Sequence, residues 1–139
     1  MAAIDVATLP KVHVREALGG VVVSVDDETG AARVRYVPGE SLNNSVGAVF
    51  GGYLAAMVDD AAGLATWFGG GRRRFATAQL SVNFLRPAKP GEALLADVVI
   101  TGIGGRKAFA EVKIRRETDN QIVVTGTAVQ SFLGGGVEP

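Results

Sequence analysis

The sequence predicts an α+β fold in which a curled antiparallel sheet of five to six strands wraps one long buried helix. Three observations predict it. Residues 47–68, GAVFGGYLAAMVDDAAGLATWF, read as a helix that is apolar or small on every face apart from two adjacent aspartates. Strand-like alternation fills most of the remaining chain. Two such stretches precede the helix and four follow it, with short turns between neighbours.

The elements follow in order. Residues 1–17 read as a loosely ordered lead-in with a short helical turn after Pro10. GGVVVSVDD is a strand by its β-branched run, ETG is a turn, and AARVRYVP alternates and completes a hairpin. GESLNNSVGAVFGG is loop by composition. The helix is expected from Gly52 to Phe68, because Ala, Leu and Met favour it and the glycines at 69–71 end it. Being apolar all round, it is expected to be buried all round. FATAQLSVNFL, ALLADVVITGI, RKAFAEVKIRRE and QIVVTGTAVQSFL are the four later strands, with Ala110, Val112 and Ile114 sharing one face of the third. The 139 residues suit a single domain over 1–139, with the lead-in and the tail at 134–139 peripheral.

Composition narrows the function. A net charge of +0 removes electrostatic support for nucleic-acid binding. The chain has no cysteine, so disulfides and thiolate chemistry are excluded, and its single histidine, His13, rules out a multi-histidine metal site. No apolar run suits a bilayer span and no signal peptide is evident, so a cytoplasmic protein without membrane contact is expected. A charged fraction of 20% is low for a fully solvated monomer and points to burial between subunits.

The chemistry centres on Asp59 and Asp60, because a carboxylate inside an apolar helix is costly unless paired or used. The two lie about 100° apart around the helix, so they are not expected to share a pocket. Asp60 reads as structural, at a dimer contact or as a sheet-end hydrogen bond. On spacing alone Asp59 is equally a structural or a reactive carboxylate.

NNSVGAVFGGYLAAMVDDAAG, with TAQLSVNFLRPAKPGE and GGRKAFAEVKI, resembles the hotdog-fold acyl-CoA thioesterases of the phenylacetate-degradation (PaaI-like) subfamily, over about 18–132. Asn44 matches the family's asparagine, Gly51 and Gly52 its glycine pair, Asp59 its catalytic carboxylate, and Thr77 a hydroxyl position near it. Phe50 stands where the family usually has histidine, and an aromatic wall there suits a flat or apolar acyl group.

The resemblance implies hydrolysis of an acyl-CoA thioester, aromatic or short to medium in chain, with coenzyme A as part of the substrate and no separate cofactor. Glycines at a helix N-terminus supply backbone donors for an oxyanion. Asp59 would then be general base or nucleophile. From Gly52 to Asp59 the helix rises about 10 Å, too far for one carbonyl to meet both. A site shared across a homodimer meets that requirement, and the low charge is compatible with a dimer of dimers.

Arg72 and Arg73 read either as a solvated basic loop or as a clamp on coenzyme A phosphates, and Arg86 and Arg106 are further candidates. The alternative function is a non-catalytic acyl-CoA-binding protein of the same fold, suggested by Phe50.

Overall fold

Two strands, Gly20–Val25 (β1) and Ala32–Tyr36 (β2), form the first hairpin in a computed structural model that describes residues 2–134. Their turn contains Gly30 at φ 79°, where a Cβ would lie 2.2 Å from the Ala65 carbonyl oxygen, so only glycine fits. Helix α1 (His13–Ala17) precedes them, and α2 (Gly51–Gly69) follows. The later strands are β3 (Phe75–Phe84), β4 (Leu94–Ile103), β5 (Lys107–Arg116) and β6 (Ile122–Phe132).

The six strands form one antiparallel sheet in the order β1-β2-β4-β5-β6-β3. The hairpins β4–β5 and β5–β6 are sequential neighbours, as the short turns lead one to expect. The β3–β4 connection is different: it carries the chain away from β3, which among the described residues pairs only with β6 and forms one edge of the sheet.

The sheet wraps α2, giving the hotdog fold. Met57, Val58, Ala61, Ala62 and Ala65 are fully buried against it. They face Val34, Ala96, Val112, Ile114 and Val124, also inaccessible or nearly so. Each larger buried side chain contributes about 1.5–3 kcal/mol. Helix and sheet approach closely at Gly126, where a Cβ would lie 2.7 Å from Val58. The helix ends in a Schellman arrangement: the Arg72 N–H reaches the Trp67 carbonyl at 2.7 Å and the Gly71 N–H reaches that of Phe68 at 3.2 Å.

Two expectations change. The helix is not buried all round, because Gly52, Tyr53 and Trp67 are exposed, and Ala55, Ala56, Asp59 and Gly63 are half-buried. A single sheet covers only one side of a helix, and the uncovered side carries Tyr53 and Trp67 beside small residues. The lead-in lies against the body of the fold: the Ile4 N–H bonds the Val25 carbonyl at 3.0 Å, and α1 packs beside β1 and α2. Of the expected peripheral tail, all but Gly134 lies outside the described residues. No helix among the described residues is long and apolar enough to cross a membrane.

Candidate active site

Asp59 sits two turns into α2 and meets the start of β3. Its Oδ1 accepts a hydrogen bond from the Thr77 hydroxyl at 2.7 Å. That contact orients one carboxylate oxygen and leaves the other available. Both residues border a cleft of about 490 Å³. Its other walls are mainly apolar and come from α2, from Phe75 and from the lead-in.

The helix start forms a second group. Phe50 is the N-cap residue and supplies no side-chain cap. The Tyr53 and Leu54 N–H groups bond the Phe50 carbonyl, at 2.9 and 3.2 Å. Among the described residues the Gly51 and Gly52 N–H groups have no acceptor, as expected for a helix's first turn. They are two neighbouring donors at the positive end of a 19-residue helix.

Gly52 is exposed, and a Cβ there would press on the Phe50 ring at 3.0 Å. Phe50 is 52% exposed and meets Tyr53 edge-on, with ring centroids 5.9 Å apart. Asn44 organises the loop before the helix: its Oδ1 accepts from the Val46 and Ala48 N–H groups at 2.9 and 3.0 Å. Its side-chain amide N–H groups are left over from that arrangement.

Within one chain these two groups stay apart. Gly51 lies beside Phe84, where a Cβ would be 3.5 Å from the ring, near the far end of β3 from Thr77.

Asp60 borders the same cleft as Asp59, contrary to the expectation from their angular separation. The cleft is broad enough to reach both helix positions. Their partners differ. Asp60 takes a bidentate pair from Arg15, at 2.9 and 3.0 Å, and a hydrogen bond from the Tyr36 hydroxyl at 2.6 Å. Its side chain is 4% exposed and that of Arg15 11%. Asp60 is therefore a structural carboxylate that joins α1, the end of β2 and α2. Burial first, then the negative charge and hydrogen bond of Asp60, push the Tyr36 phenol well above its ordinary pKa.

The arginines divide. Arg73 donates to the carbonyls of Gly70, Gly105 and Gly104 at 2.8–3.1 Å and lies 3.7 Å over the Phe132 ring, so its fork ties the helix end to the β4–β5 turn. Arg72 pairs with Asp27 at 2.8 Å and covers Phe68. Arg106 is exposed in that same turn. Arg86 leaves the opposite end of β3 and donates to the Ile122 carbonyl at 2.7 Å.

Sequence reasoning missed Arg15, Tyr36, Gly63, Trp67 and the lead-in wall. Gly63 alone had a readable signal, as an interior helix glycine four residues after Asp59.

Residues 46–123 match the family model described as the thioesterase superfamily. The chain is 32% identical over 95 residues to acyl-coenzyme A thioesterase THEM4 of Xenopus laevis, a match covering 68% of this chain and 41% of that protein. The chain spans about half the length of the curated relatives it matches, 41% and 53%. A phenylacetic acid degradation-related protein from Ralstonia eutropha JMP134 superposes with a TM-score of 0.77 at 30% identity, over 88% of this chain and 92% of that one. The E. coli PaaI protein of the phenylacetic acid degradation operon superposes with a TM-score of 0.82 at 22% identity, over 92% and 89%, a likeness of fold.

Proposed function

The chain belongs to the hotdog-fold thioesterase superfamily, in its PaaI-like branch, and we propose that it hydrolyses acyl-CoA thioesters with Asp59 as general base or nucleophile. The observation that carries this is the Asp59 carboxylate, oriented by Thr77 at the wall of an apolar cleft. Hydrolysis needs a group that activates or replaces water, and a carboxylate with one free oxygen supplies it. It also needs donors where negative charge develops, and the Gly51 and Gly52 N–H groups supply those.

The two halves meet in a dimer. β3 presents an unpaired edge with Ala76, Thr77, Ala78 and Gln79 exposed. A long open edge of this kind invites pairing. A two-fold axis near Leu80 and Ser81, midway between Thr77 and Phe84, sets two β3 strands antiparallel. Thr77 and Asp59 of one chain then face Phe84 and the helix start of the other. Each site takes Asp59 and Thr77 from one chain and Gly51, Gly52 and the Asn44 amide from its partner.

The same operation brings Arg86 of one chain toward the Arg72 and Arg106 end of the other. Those basic groups suit the phosphates of coenzyme A. Arg73, already bonded to three carbonyls, supports the turn that carries Arg106.

Phe50 favours a second reading, acyl-CoA binding without turnover, since its ring neither donates a hydrogen bond nor takes a proton. Thiol release from a set of acyl-CoAs separates the two. The chain has no cysteine, so every thiol counted belongs to coenzyme A. The expected result is continuous release well above the enzyme-free rate. Saturable binding with no release supports the second reading and removes Asp59 from the chemistry.

A further inference from the structure

One face of α2 runs on past Asp59. Ala56, Gly63 and Trp67 stand three residues before, four after and eight after it, and so lie along one side of the helix. All three border the cleft, together with Phe75 from β3 and Leu9 and Val12 from the lead-in. From Asp59 to Trp67 the helix rises about 12 Å. The volume falls within the range of about 300–1,000 Å³ usual for small-molecule sites.

Gly63 is informative. Glycine weakens a helix interior, and here packing does not demand it. A Cβ at Gly63 would meet the Phe75 ring at 3.5 and 3.7 Å, ordinary contact distances. The missing side chain is therefore room in the cleft immediately beyond Asp59.

The charges bordering the cleft are equally specific. They are Asp59, Asp60 and Arg15. Asp60 and Arg15 satisfy each other through two hydrogen bonds. Among the described residues of one chain, the walls beyond Asp59 thus present no unpaired charge. A charged group placed there would be desolvated without a partner, whereas a hydrocarbon chain or an aromatic ring would be buried at no such cost.

The outer wall is the segment 9–14, and Arg15, at its end, is fastened to Asp60, the residue next to Asp59. The position of that wall is therefore set by an ion pair one residue from the reacting carboxylate.

We propose that this cleft is the acyl subsite, that it takes an uncharged apolar acyl group extending past Gly63 to Trp67, and that the Arg15–Asp60 pair positions the 9–14 strap as its outer wall. The proposal rests on the thioesterase reading of Asp59. Leu9, Val12, Gly63 and Trp67 are then specificity-determining residues, and Arg15 and Asp60 are positioning residues.

The test compares kcat/KM for acetyl-, octanoyl-, phenylacetyl- and succinyl-CoA. The wild type is expected to favour octanoyl- or phenylacetyl-CoA over acetyl- and succinyl-CoA by about tenfold or more. Gly63→Leu fills the cleft from the helix and Val12→Trp from the strap, so one variant remains informative if the other fails to fold. Each is expected to lower the octanoyl-to-acetyl ratio by about tenfold.

Arg15→Gln is expected to raise KM for octanoyl-CoA more than for acetyl-CoA, with Arg15→Lys restoring part of the difference. A merely structural loss would lower kcat/KM for both alike. A wild type that hydrolyses succinyl-CoA as well as octanoyl-CoA overturns the proposal and leaves the thioesterase reading intact. So does a folded Gly63→Leu or Val12→Trp variant whose ratio is unchanged. Release from none of the four overturns both.

Discussion

Asp59→Asn is expected to fold like the wild type and to lose thioester hydrolysis by about a thousandfold. Asparagine keeps the size of the side chain, and its carbonyl oxygen still accepts the Thr77 hydroxyl now held at 2.7 Å. It cannot take a proton or attack a carbonyl as a carboxylate does. Asp59 is half-buried and among the described residues makes this one hydrogen bond, so the stability change is expected to stay within about 0.5 kcal/mol. Thiol release gives the rate, and a thermal melt on the same sample gives the fold. A folded variant with wild-type kcat would remove Asp59 from the mechanism.

Its neighbour is expected to behave in the opposite way. Asp60→Ala removes both hydrogen bonds to Arg15 and the one from Tyr36, and leaves a guanidinium that is 11% exposed without its counter-charge. Breaking one side of a buried pair costs about 3–5 kcal/mol. Against a typical total of about 5–15 kcal/mol, the urea midpoint should fall steeply. Replacing both partners with apolar residues, Arg15→Met with Asp60→Leu, is expected to recover much of that loss, because no charge is left stranded. A double variant no more stable than Asp60→Ala would contradict this reading.

The Tyr36 phenol adds a pH signature. Its pKa is raised in the folded state by burial and by Asp60, while in the unfolded chain it is about 10. The stability it contributes is therefore complete below about pH 10 and is lost as pH rises through the higher folded value. Tyr36→Phe is expected to flatten the alkaline limb of a urea-stability profile.

The strands were legible because alternation is local. Ala110, Val112 and Ile114 are read as one face from spacing alone, and all three are buried. The helix was legible from its composition, its start from a glycine pair and its end from the glycines at 69–71. Strand order was not legible: the β3–β6 pairing joins Thr77 to Gln130 across 53 residues, and no local pattern encodes it. The open face of α2 was hidden for a related reason. Gly52, Ala56 and Gly63 look like core by composition, and only the sheet's one-sided cover shows that they are not.

The site divided along the same line. Asp59, Thr77 and the glycine pair came from the family resemblance, and in the fold Asp59 and Thr77 are hydrogen-bonded. The structural role of Asp60 was expected, but its partner Arg15 lies 45 residues away in a segment read as peripheral. Arg73 looked like a free cation in a basic run, and its engagement depends on a turn more than 30 residues downstream.

The central claim is that a thioesterase site forms from Asp59 of one chain and the helix start of another. The most direct test mixes two inactive homodimers, Asp59→Asn and Gly52→Val, and follows thiol release after subunit exchange has been verified by mass. Each hybrid carries one intact site, so random exchange is expected to restore about a quarter of wild-type activity. No recovery despite proven exchange would contradict a shared site.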